Sequence, residues 1–229
     1  MKVRTEARRE AILEIASQVF LEFGFERASM AEIVRRIGGS KSTIYGYFPS
    51  KEALFQAATM AVGQRHVRPA FDAMLMEQDV SAGVGRRLDE FARTLAAFIC
   101  SDQLIAIQRM VLAEAGRSDM GALFYDAGPH QGVQDLGSFF SRAMDAGVMR
   151  YGDPYLAARQ FFSLLQAELL PRWYYRNLPP LPPAEIQACA DRAVNTFARA
   201  YEMRRPEHLS APSREDRAPT AAPKEPSSQ

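Results

Sequence analysis

Apolar residues recur along this chain at helical spacing almost everywhere, and no stretch of useful length alternates as a strand does. Ile12, Ile15, Ala16, Val19, Phe20 and Phe23 fall on one helix face over residues 5–23. Gly24 ends that helix, and Phe25 is placed to plug the core behind it. Ser29 and Glu32 have the spacing of a capping box and open a second helix that runs to Ile37. Gly38 and Gly39 stop it, and Ser40 caps a third, short helix ending near Gly46. Ile33, Ile37, Ile44, Tyr45 and Phe48 are candidates to close the core of this three-helix head. Pro49 breaks the chain, Ser50 caps a helix over 50–68, and Pro69 interrupts it.

The same periodicity predicts helices over 86–100, 103–115, 123–127 and from Pro129 to Ala146. Asp153 and Pro154 then cap the most apolar helix, 154–175, which Pro171 bends. A proline-rich linker, 177–183, precedes a last helix over 183–203 with Ile186, Ala190, Ala193, Val194, Phe197 and Tyr201 along one stripe. Gln78 to Gly85 reads as a loop or helix start. The expectation is an all-α protein: a head over 1–50, a larger helical domain over 51–203, and a tail over 204–229. That tail has too little apolar surface to offset the entropy of ordering it.

Helix, glycine turn and short helix is the helix-turn-helix arrangement, whose second helix enters the DNA major groove. The run Ser40-Lys41-Ser42-Thr43-Ile44-Tyr45-Gly46-Tyr47-Phe48-Pro49-Ser50-Lys51-Glu52-Ala53-Leu54-Phe55 resembles the recognition-helix signature of TetR-family transcriptional regulators. A generic helix-turn-helix lacks the Tyr-x-Tyr-Phe-x-Ser-Lys-Glu continuation. Gly46 stands where family members often carry a bulky polar or aromatic residue, so no base contact is expected from it. Arg109 to Ala115 and Asp153 to Phe161 also resemble the C-terminal domain of one branch, the AefR-like regulators.

The resemblance implies double-stranded DNA as a partner. The DNA-binding residues it implies are Ser29, Ser40, Lys41, Ser42, Thr43, Tyr45, Tyr47 and Lys51, with Tyr47 and Lys51 holding phosphates. Ser29 and Ser40 can serve as caps at the same time, and Tyr45 fits the core as well as a contact. It further implies an effector cavity in the helical domain. Candidates there are Phe98, Arg109, Met110, Phe140, Met144, Phe161, Leu165, Glu168 and Trp173, with Arg109 and Glu168 as potential partners of each other. The abundance of Phe and Met points to an apolar or aromatic small molecule. Phe162, Ile186, Ala190, Ala193 and Phe197 are assigned to a homodimer interface built from the last two helices. Together these imply a ligand-released repressor on a palindromic operator. A helical ligand- or partner-binding protein with a non-functional DNA head is the alternative.

Net charge is +1, and residues 1–60 carry nine Lys and Arg against seven Glu, so any affinity for DNA depends on where the charges lie. Cys100 and Cys189 read as free thiols, with oxidant response left open; no metal spacing surrounds them or the scattered His66, His130 and His208, and no cofactor is expected. A phosphate loop would need glycine where Ser40 precedes Lys41, and a nucleophile elbow would need glycine where Ser42 stands. No enzyme is expected. Without an apolar run of membrane length or a leader-like segment, the expectation is a cytoplasmic protein with no membrane partner.

Overall fold

A computed structural model describes residues 5–76 and 83–203. Chain order begins with α1 (Glu6–Arg27), α2 (Met30–Ile37), α3 (Lys41–Tyr47), α4 (Lys51–His66), α5 (Arg68–Met76) and α6 (Val84–Ile99). It continues with α7 (Asp102–Glu114), α8 (Met120–Ala127), α9 (Pro129–Asp145), α10 (Pro154–Gln166), a 3-10 turn (Leu170–Trp173) and α11 (Pro183–Ala200). The chain is all-α, and no strand occurs among the described residues. The tail and most of the segment after Met76 lie outside those residues.

Local chemistry starts these helices where the spacing predicts. Thr5, Ser29, Ser40, Ser50 and Ser101 each accept a hydrogen bond from the amide three residues on. Asp153 takes two amides, those of Tyr155 and Leu156, at 2.9 and 3.0 Å. Each such cap is worth about 1 kcal/mol. The capping box at α2 is only half made. Ser29 Oγ accepts from Glu32 N at 3.1 Å, but the Glu32 carboxylate turns to Arg35 and Arg36 instead of the Ser29 amide.

Prolines set the other boundaries. α4 stops at His66, and Pro69 falls in the first turn of α5, where its missing N–H costs nothing. The predicted helix over 154–175 ends early, at Gln166. Pro171 cannot donate to the Ala167 carbonyl and its ring would collide with it, so the chain continues as a 3-10 turn.

Two hydrophobic cores result. The smaller one holds Ile12, Ala16, Phe20, Phe25, Ile33, Ile44, Phe48, Leu54 and Phe55. Gly24, at φ 73°, lets the chain turn so that Phe25 enters this core and packs on Phe20 and Phe55. That core also contains Ile107 and Val111 of α7 and Met120 of α8, so the larger half contributes to it. The larger core centres on Phe91, Phe139, Phe140, Phe161 and Phe197 and draws on α5, α6 and α9 to α11. Gly137 brings α9 and α10 close: a Cβ there would run into the Tyr155 ring. Phe98 packs against both cores.

Candidate nucleic-acid interface and effector core

α3 is fixed from below by Ile44 and Phe48, both buried. Its N-terminal end is a cluster of hydroxyls: Ser40 Oγ lies 2.8 Å from Ser42 Oγ and 2.9 Å from Thr43 Oγ1, and it accepts from the Thr43 amide. Lys41 and Ser42 are exposed beside it, Ser29 is exposed at the start of α2, and Thr43 is half-buried. Tyr45 is 47% exposed, which removes it from the core that the sequence offered it and puts it on the outer face of α3.

Tyr47 ties α3 to the start of α1. The Thr5 amide donates to its hydroxyl at 2.9 Å. Arg8 adds a second tie, donating to the Gly38 carbonyl in the turn between α2 and α3. These bonds hold the helix that a seven-residue segment could not maintain alone.

Lys51 departs from expectation. Its ammonium donates to the Phe25 and Glu26 carbonyls at 2.9 and 3.3 Å and lies 4.2 Å from the centre of the Phe25 ring. It closes the end of α1, an internal role that the motif does not imply. Arg36 is likewise engaged, with Glu32 and Glu22 each at 2.7 Å and Phe23 beneath it. Hydrogen bonds from Arg35 and Arg36 hold the Glu32 carboxyl down at about 2.

In the larger half the effector candidates separate into several places. Phe140, Met144, Phe161 and Leu165 are buried core. The Phe140 ring stacks on Phe197 at 5.0 Å, and Phe161 meets Phe197 edge-on at 5.2 Å. Met110 lies elsewhere, on a recess between α1, α4 and α7 with Phe20, Phe55 and Ile107. Phe98 meets His66 edge-on. Trp173 is half-buried, and its indole Nε1 has no hydrogen-bond partner among the described residues.

Arg109 and Glu168 do not pair. Arg109 donates to the carbonyls of Trp173, Arg172 and Tyr175, at 2.9, 2.9 and 2.7 Å. Glu168 accepts from Arg192 Nε at 2.8 Å and from the Cys189 thiol at 3.4 Å, and the Arg192 bond lowers its pKa. Burial and Glu168 push the Cys189 thiol up to about 11, and burial raises Cys100 as well. Both therefore stay protonated near neutrality, the less reactive form.

The stripe assigned to a partner subunit is also corrected in part. Ala190, Ala193 and Phe197 are buried within the chain itself, where α11 packs on α6 and Arg93 pairs with Asp191. Phe162 and Ile186 remain half-exposed. Exposed positions on the last two helices include Tyr155, Leu156, Arg159, Gln160 and Ser163 on α10, and Arg192, Thr196 and Arg199 on α11.

Comparison with known proteins bears on this arrangement. The family described as bacterial regulatory proteins, tetR family, matches residues 12–58, and the AefR-like transcriptional repressor C-terminal domain matches residues 86–203. The chain belongs to the TetR family. A Bacillus subtilis relative, the uncharacterised HTH-type transcriptional regulator YfiR, is 26% identical over 161 residues, which is 70% of this chain and 77% of that protein. A solved TetR-family regulator from Mesorhizobium loti superposes with a TM-score of 0.74 at 25% identity, over 87% of this chain and 99% of that one. The flavonoid-responsive regulator FrrA is 32% identical with a TM-score of 0.66, over 86% and 98%. The chain is thus a transcriptional regulator and not an enzyme, and DNA binding follows from the family. Among the described residues, no single helix is long and apolar enough to cross a membrane.

Proposed function

We propose that this TetR-family regulator is a repressor that binds a palindromic operator as a homodimer and leaves it when a small molecule binds. The observation that carries the reading is the outer face of α3. Lys41, Ser42 and Tyr45 are exposed on it, while Ile44 and Phe48 beneath and Tyr47 at its end fix its position. Ser29, Ser40, Lys41, Ser42 and Tyr47 meet phosphates and sugars, while Thr43 and Tyr45 face base edges. Tyr47 holds the end of α3 as well. The outward faces of α10 and α11, with Leu156, Phe162 and Ile186, pair two subunits about a two-fold axis. That axis sets two α3 helices about 34 Å apart, or a multiple of it.

The effector is apolar and aromatic. Supporting this are the ring cluster around Phe140 and Phe161 and the flavonoid response of FrrA. Because those rings are packed on one another, the effector must bind a form in which they part. Its differential affinity for that form is what releases DNA. The DNA-binding reading requires the cytoplasm as the working compartment.

The test is a gel shift on DNA upstream of the chain's own gene, at two salt concentrations, followed by selection from random DNA. A selective shift that weakens with salt is expected. No selected sequence in either assay would leave a helical binding protein whose head has lost its function.

A further inference from the structure

Arg109 lies outside both the α3 face and the aromatic core. It stands on the exposed side of α7, and its guanidinium closes on the connector between α10 and α11. Nε donates to the Trp173 carbonyl, and Nη2 to those of Arg172 and Tyr175. These acceptors sit at the end of a one-turn 3-10 helix, where carbonyls have no helical donor left. Arg172 continues the chain of ties by donating to the Pro179 carbonyl. The connector contains Pro171, Pro179, Pro180 and Pro182, none of which has a backbone donor. The side chains of Arg109 and Arg172 help hold it in place.

The opposite face of α7 is committed to the head. Ile107 and Val111 are buried in the smaller core, and Met110 packs against it with α1 and α4 nearby. One helix thus grips the DNA-binding head on one side and the α10–α11 connector on the other. We propose that Arg109 is a positioning residue for DNA binding: a strut that makes the placement of α10 and α11 fix the placement of the head. This rests on the reading above, in which α10 and α11 pair the two subunits. Without the strut the connector and α7 are less firmly coupled, and subunit pairing dictates the distance between the two α3 helices less strictly.

The experiment uses the full chain and the operator selected by the wild type, along with operators whose half-sites are moved apart or together by one base pair. The wild type should prefer its own spacing. Arg109→Gln should melt cooperatively, keep the wild-type salt slope because no phosphate contact is lost, and lose about tenfold of the spacing preference. Hydrogen exchange over 170–176 should rise in the same variant. Arg109→Lys keeps the charge, reaches fewer carbonyls and should fall between the two; it also serves as the comparison should the Gln variant not fold. Raised exchange over 170–176 with an unchanged spacing preference would overturn the strut while leaving the regulator reading intact. A wild type that selects no DNA would overturn both.

Discussion

Lys51 and Lys41 carry the same charge, flank the same helix, and have different partners. Lys51 is satisfied inside the chain by two carbonyls and a ring, whereas Lys41 is exposed. Lys51→Met should therefore destabilise the protein by about 1–2 kcal/mol and leave the salt dependence of operator binding unchanged. Lys41→Ala should leave stability alone and reduce the salt slope by about one. Urea melts and salt titrations of the two variants separate these outcomes. Glu32 supplies a pH test. Its folded-state pKa is depressed to about 2, so its stabilisation is present above the ordinary carboxylate range and is lost as pH falls through that range toward about 2. Glu32→Gln should flatten the acid side of the stability profile between about pH 5 and pH 2, as read by urea melts across that interval. The caps at Ser29, Ser40 and Ser50 were legible in the sequence because donor and acceptor lie three residues apart. The partners of Lys51, Arg109 and Glu168 were not, because each comes from a distant segment and spacing carries no record of it.

At the scale of elements, periodicity gave the helices and their buried faces but not what covers each face. α11 shows this. Its Ala190, Ala193 and Phe197 stripe is apolar as read, and α6 and the aromatic core of the same chain cover it. A second copy and a neighbouring helix demand the same pattern, since both exclude water from the same side chains. The two can be told apart. Ala193→Leu should overpack the subunit's own core and cost about 1–3 kcal/mol in a urea melt. Leu156→Glu, on the outward face of α10, should leave the melt nearly unchanged and shift the proposed dimer toward monomer in sedimentation. The early end of α10 belongs to the same lesson. Pro171 announced a disturbance, yet the change from α-helix to 3-10 turn is drawn together by Arg109, which the local sequence does not reveal.

Across the whole molecule, the two halves share a core. Ile107, Val111 and Met120 complete the head from outside it, and their burial stabilises it by about 5 kcal/mol in all. That is comparable to the total stability of a small domain. A fragment ending at the close of α4 should therefore lack a cooperative thermal transition, whereas one extended through α8 would retain these contacts; circular dichroism melts of the fragment and the full chain check this. The shared core also bears on how such a protein can diversify. Its N-terminal helices are no interchangeable cassette, because exchanging them by recombination would set foreign side chains against α7 and α8. On the proposed reading, new operators are more readily reached by point changes on the outer face of α3, where exposed Tyr45 can vary without disturbing what lies beneath.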